Sequence, residues 1–151
     1  MRVTTWAEYG LIVSLHLARR MGNGPVAARD MAEREKLPAD YVEQILLRLR
    51  RAGLVDSVRG ARGGYLLARG PEEITVRDVL DASEHGTFEV NCECHRVADT
   101  RCSTDTACSI RPVWQLLQRR IDETLASIRL GDLLHEEAEV RDLIGMTAET
   151  V

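Results

Sequence analysis

Apolar positions recur at helical spacing through most of the chain. Leu11, Leu15 and Ala18 stand at i, i+4 and i+7, so Trp6 to Arg20 reads as a first helix, with Thr4 or Thr5 available to cap it. Gly22, Asn23, Gly24 and Pro25 end it. A shorter helix follows from about Val26 to Glu35, and the Leu37-Pro38 step breaks it, because the proline ring disfavours a helical predecessor. A third helix runs from Pro38 to Arg51. Its Val42, Ile45, Leu46 and Leu49 face inward, Tyr41, Gln44, Arg48 and Arg51 face outward, and Gly53 suits the left-handed position just past a helix end.

The pattern then changes period. Leu54 to Val58 and Tyr65 to Ala68 are short apolar runs flanking Arg59-Gly60-Ala61-Arg62-Gly63-Gly64, which is the grammar of a β-hairpin. Two helices across a short turn, followed by a hairpin with arginines at its tip, make a winged helix-turn-helix. Pro71 opens a linker, and Thr75-Val76-Arg77-Asp78 is a capping-box variant at the head of a short helix ending near Ala82. His85 to Cys108 lacks helical periodicity. From Pro112 the stripe Val113, Leu117, Ile121, Leu125 and Ile128 returns, closed by Gly131. A helix of roughly 18 residues is about 27 Å long, more than a small winged domain needs, so part of the stripe is expected to pack on a second copy of the chain. The expected fold is therefore mainly α: a winged helix-turn-helix over residues 1–70, a short helix and cysteine loop over 71–110, a long C-terminal dimerisation helix over 111–135, and a tail without strong pattern over 136–151.

Composition agrees with a globular domain and narrows its core. The 151 residues are 44% hydrophobic and 29% charged, which excludes disorder, and only 4% are aromatic, so aliphatic helix packing must supply most of the burial. Uncharged runs such as Tyr9 to Ala18 are far shorter than a membrane span, and Met1-Arg2 leads straight into amphipathic sequence, so a cytoplasmic protein without a membrane segment is expected.

The net charge of -4 conceals a polarised distribution. Residues 48–69 hold six arginines against one acid, Asp56, a local +5 that leaves -9 elsewhere. A positive stretch on an acidic protein presents one surface to a polyanion, and double-stranded DNA is the partner that a winged helix implies. On the third helix Gln44 is suited to adenine and Glu43 to the cytosine amino group. Tyr41 and Arg48 share the outward face, Arg51 suits phosphate, and Arg59 and Arg62 on the wing suit phosphates or a narrow minor groove.

All four cysteines, Cys92, Cys94, Cys102 and Cys108, lie within seventeen residues, in a loop with little apolar sequence to bury a thiol. Stable disulfides do not suit a reducing compartment, which leaves metal or redox chemistry. Soft thiolates stabilise iron in both oxidation states, and an iron-sulfur cluster tolerates wide spacings such as Cys94-x7-Cys102-x5-Cys108. The fourth ligand would be Cys92, His95 or a residue of another element such as Glu8. A zinc site, a thiol switch and a small iron-sulfur or thiol oxidoreductase are the rival readings. Against an enzyme, the chain has no Cys-x-x-Cys pair, no nucleotide-binding glycine pattern, and only scattered histidines.

Three stretches carry a family likeness: Met1-Arg2-Val3-Thr4; Tyr41-Val42-Glu43-Gln44 with Leu49-Arg50-Arg51-Ala52-Gly53-Leu54-Val55; and Val58-Arg59-Gly60-Ala61-Arg62-Gly63-Gly64-Tyr65-Leu66-Leu67. With the cysteine loop, Val113-Trp114 and Ile128-Arg129-Leu130-Gly131-Asp132-Leu133, they resemble the Rrf-type repressors that include IscR, NsrR and RirA, over about 135 residues. The resemblance implies a homodimeric transcriptional repressor whose iron-sulfur cluster controls binding to an inverted-repeat operator, with iron, redox state or nitric oxide as the signal. The cysteine spacing is most similar to the RirA pattern, which implies a 4Fe-4S cluster on Cys94, Cys102 and Cys108, with 2Fe-2S as the alternative. IscR-like ligation by a histidine after the last cysteine is not open to this chain, which has Arg111 there. Glu8 falls where NsrR-like proteins place an acidic ligand donated by the partner subunit, and Cys92 is an extra cysteine able to replace Cys94.

Overall fold

The computed structural model describes residues 3–84 and 108–145. Helix α1 (Thr5–Arg19) is capped by Thr4, whose side-chain oxygen accepts from the Ala7 amide. Its buried face is built from Ala7, Gly10, Val13, Ser14 and Leu17 rather than centred on Leu11 and Leu15, which are half-buried at its flank. The expected leucine stripe is thus displaced around the helix. The reason is close approach: a Cβ on Gly10 would lie 2.0 Å from Ser83 Oγ, so this face is made of small residues where helices press together. Helix α2 (Ala28–Glu35) starts later than expected, because Val26 exchanges two 2.8 Å backbone hydrogen bonds with Tyr65 and so borders the hairpin. Lys36, left-handed at φ 56°, ends α2 ahead of the Leu37-Pro38 break. His16 Nδ1 lies 2.5 Å from Glu35 Oε1 and ties α1 to the end of α2.

Helix α3 (Ala39–Arg51) begins just after Pro38, and its Val42, Ile45, Leu46 and Leu49 are completely buried, as the spacing predicts. Gly53 takes the left-handed conformation at φ 72° and turns the chain into β1 (Val55–Val58), which pairs antiparallel with β2 (Gly64–Leu67), Val55 opposite Leu67 and Val58 opposite Gly64. The expected linker at Pro71 contains a 3-10 turn over Pro71–Glu73. Helix α4 (Val76–Ser83) carries the expected capping box, in which the Asp78 amide donates to Thr75 Oγ1 at 3.0 Å and the Thr75 amide to Asp78 Oδ2 at 2.9 Å.

One core joins these elements. Leu17, Met31, Ile45, Leu46, Leu49, Ile74, Val79 and Leu130 are buried together. Each large aliphatic side chain there contributes about 1.5–3 kcal/mol on leaving water. Ala7, Val76 and Leu80 form a smaller cluster that receives Leu125, Ile128 and Leu133.

Helix α5 (Arg111–Ser127) is shorter than the sequence predicts. Ile128 is extended, and residues 128–131 return to the start of α4, with Val76 N donating to Ile128 O and Leu130 N to Ile74 O, both at 2.9 Å. Arg77 of α4 pairs with Asp81 of its own helix and with Asp122 of α5, and the Asp81 hydrogen bond is the main reason its pKa is raised above the ordinary arginine value. The tail, in which the sequence shows no strong pattern, carries α6 (Glu137–Leu143), after a 3-10 turn over Asp132–Leu134. Among the described residues, no helix is long and apolar enough to cross a membrane.

Candidate nucleic-acid interface

The face of α3 opposite its four buried residues is the surface that this fold leaves open. Asp40, Gln44, Leu47 and Arg51 run along it at i, i+4, i+7 and i+11, Leu47 half-buried and the others exposed, with Glu43 exposed beside them. Counting outward positions from Tyr41 misses Asp40 and Leu47. Counting from the centre of the buried arc would have found them.

Tyr41 sits at the border of this face. It is 38% exposed, and its ring packs on Trp6 and Tyr9 of α1 at centroid distances of 4.8 and 5.8 Å. Arg48, expected to face outward, turns its guanidinium toward α1 and α4: Nη1 donates to the Ser83 carbonyl at 2.5 Å, and Cζ lies 4.0 Å from the Trp6 ring centroid. The reason is a partner the sequence did not announce, since the last carbonyls of α4 have no acceptor role inside their own helix and Ser83 O is within reach of α3.

Arg59 and Arg62 are exposed at the wing tip. Gly60 O accepts from Gly63 N at 2.9 Å to close the turn, and a Cβ on Gly63 would lie 2.2 Å from Val58 O, so the tip requires glycine there. Arg50 Nη1 donates to Ser57 Oγ at 3.1 Å, bracing the end of α3 against the first wing strand. Among the described residues, Arg51, Arg59 and Arg62 form no salt bridge with a carboxylate. Arg51 of α3 and Arg59 and Arg62 of the wing are thus available to a polyanion.

Of the expected metal ligands, Cys92, Cys94 and Cys102 lie outside the described residues, as does His95. Cys108 is half-buried just ahead of α5, and Glu8 is exposed in the first turn of α1. Among the described residues, no three histidine, cysteine, aspartate or glutamate side chains gather as a metal site. The N-terminal half of α5 presents Val113, Trp114, Leu116 and Leu117 to solvent, 58%, 41%, 54% and 36% exposed, while Ile121 and Leu125 further along are half-buried.

Residues 3–136 match the family model described as "Rrf2: Iron-dependent Transcriptional regulator". The chain is 35% identical to the HTH-type transcriptional regulator IscR of Photorhabdus laumondii over 96% of its own length and 85% of that protein. Among solved structures it is similar to T. potens IscR, with a TM-score of 0.72 and 38% identity over 91% of this chain and 90% of that one. It is also similar to CymR (YrzC), the global cysteine regulator of B. subtilis, with a TM-score of 0.73 and 33% identity over 89% of this chain and 96% of that one.

Proposed function

Because the chain belongs to the Rrf2 family of DNA-binding transcriptional regulators, which are not enzymes, we propose that it is a cytoplasmic homodimeric repressor that reads an inverted-repeat operator and responds to an iron-sulfur cluster. The observation that carries this reading is one of placement. Arg51 on α3 and Arg59 and Arg62 at the wing tip are all exposed, and residues 85–107, which carry three of the four cysteines, stand in sequence between α4 and the helix with an exposed apolar face.

Gln44 and Glu43 offer base-edge contacts in the major groove, with Tyr41 at the rim. Arg51 holds phosphate, and Arg59 and Arg62 hold phosphates or enter the minor groove. Val113, Trp114, Leu116 and Leu117 are the surface for the second copy, since an apolar stripe of this size on one helix face favours association. Two copies related by a two-fold axis present two α3 helices to two half-sites.

The donor set fits an iron-sulfur cluster: soft thiolates of Cys94, Cys102 and Cys108, with Glu8 of the partner subunit or Cys92 as fourth ligand. A bound cluster, 4Fe-4S on the cysteine spacing with 2Fe-2S as the alternative, supplies a redox- and iron-sensitive, oxygen- or nitric-oxide-reactive centre. A non-thiolate fourth ligand makes such a centre easier to disturb. Cys108 leads within three residues into α5, so what holds its thiol also holds the start of the dimer helix. A difference of a few kcal/mol between two poses of the paired α3 helices is enough to change operator occupancy.

Protein purified without air should be brown, contain iron and sulfide, and shift an inverted-repeat DNA selected from a random pool. Cys102→Ala or Cys108→Ala should abolish the colour and change operator affinity while leaving the dimer folded. Colourless wild-type protein holding neither element would overturn the cluster reading. The likeness to CymR favours a second reading in that event, a thiol switch without a cluster, seen as operator affinity that responds to oxidant. Zinc in place of iron would mark a metal-stabilised regulator instead.

A further inference from the structure

Helix α4 ends at Ser83, and its final carbonyls have no partner within the helix. One of them, Ser83 O, is taken by a side chain 35 residues earlier in the chain: Arg48 of α3 donates to it at 2.5 Å. Arg48 therefore caps α4 from outside. Its positive charge sits at the negative end of that helix's dipole, and its Cζ lies over the Trp6 ring, 4.0 Å from the centroid. Beside it, a groove of about 650 Å³ opens at the edge of the packed α3–α4 contact, lined by Arg51, Arg69, Asp78 and Asp81 among others, so the Arg48 bridge borders a solvent-open cleft.

The same point is gripped from α1. Thr4 Oγ1 donates to the Glu84 carboxylate, and Gly10 lets Ser83 approach α1 so closely that a Cβ would not fit. The end of α4 is thus fixed to the N-terminal half of α1 and to the last turn of α3 at once. Glu84 is followed in sequence by the segment that carries Cys92, Cys94 and Cys102, and Glu8 lies two residues from Trp6.

Resting on the function proposed above, we infer that Arg48 is a positioning residue: it couples the end of α4, and so the cysteine-bearing segment, to the pose of α3 on DNA. It touches no base. A shift of Ser83 moves the acceptor that Arg48 holds, and the only ways to keep that bond are to move α3 or to slide the guanidinium off Trp6. Coupling of this kind is reciprocal, so DNA bound to α3 must also steady the end of α4.

That reciprocity gives a test independent of any cluster. Amide exchange is measured on the full-length, metal-free dimer with and without the inverted-repeat DNA selected from a random pool. In the wild type, DNA should slow exchange of residues 79–84 at least several-fold, although α4 lies outside the DNA-facing surface. In Arg48→Met that response should vanish while α3 and the wing remain protected by DNA. Arg48→Lys, which keeps the charge but not the planar fork, should retain part of it and serves as the variant of record if Arg48→Met fails to fold. A merely structural cap would speed exchange of 79–84 in the free protein yet leave its response to DNA intact, and that result would overturn the proposal, as would no response in the wild type.

Salt dependence supplies the second arm. A phosphate contact would lower the slope of log affinity against log salt by nearly two for a dimer losing two arginines, whereas a positioning residue leaves the slope unchanged. If the cluster is present, the ratio of operator affinities between loaded and stripped protein should fall toward onefold in Arg48→Met. Colourless wild-type protein would refute the cluster while the exchange result still stood or fell alone.

Discussion

Removing the wing arginines gives a quantitative measure of how the hairpin engages DNA. Arg59 and Arg62 are exposed at the tip and form no salt bridge with a described carboxylate, so Arg59→Ala/Arg62→Ala should cost the fold little, and its effect falls on DNA binding. A dimer carries two such tips, hence four cationic side chains in reach of phosphates. At about 0.9 counterion per neutralised phosphate, losing all four lowers the steepness of log affinity against log salt by about 3.6. Between 50 and 200 mM salt the native protein should then lose about 150-fold more affinity than the variant. Fluorescence-anisotropy titrations of a labelled operator across that range read the slope directly. A slope unchanged within error would show that the wing does not meet the backbone, and a drop near half the expected size would show one arginine per tip in contact.

Gly10→Ala places a methyl 2.0 Å from Ser83 Oγ and 2.8 Å from its Cβ, so α1 and α4 must separate; overpacking of this kind costs about 1–3 kcal/mol. Calorimetry should show a lower Tm, and weaker operator binding at temperatures where the variant is folded would follow from displacement of the Arg48 acceptor; an unchanged Tm would refute the close approach. Val113→Glu/Leu117→Glu should convert the proposed dimer to a folded monomer by analytical ultracentrifugation with the helical circular dichroism preserved, since both side chains are exposed and outside the core. A persistent dimer would place the subunit contact elsewhere.

The legible parts of the fold are those where apolar size and period coincide. On α3, Val42, Ile45, Leu46 and Leu49 are bulky aliphatic residues at helical spacing and are the buried ones, so spacing alone locates the core face. On α1 the two criteria separate. Its tightest contacts use Ala7, Gly10 and Ser14, and a reader following leucines is drawn to the flank. Val26 and residues 128–131 depart from the helical pattern for another reason: their backbone hydrogen bonds go to Tyr65 and to Pro71, Ile74 and Val76, distant partners that no local pattern encodes. The interface shows the same split. Gln44 and the wing arginines are exposed where the pattern puts them, while Arg48 has the spacing of an outward residue and is recruited by a helix end 35 positions away. Glycine and arginine clustering marked the wing tip because Gly63 has no room for a side chain.

The return of residues 128–131 to the start of α4 makes everything between them an excursion with its two ends clasped at the base, Val76 to Ile128 and Ile74 to Leu130. The entropy of closing a flexible loop rises by only about 0.6 kcal/mol for each doubling of its length. The sequence between α4 and α5 can therefore be lengthened, shortened or rewritten at small thermodynamic expense, while the clasp and the burial of Val79 hold α4 itself in the core. An architecture that ties down both flanks of such an insertion is suited to evolving new sensory chemistries on one unchanged platform.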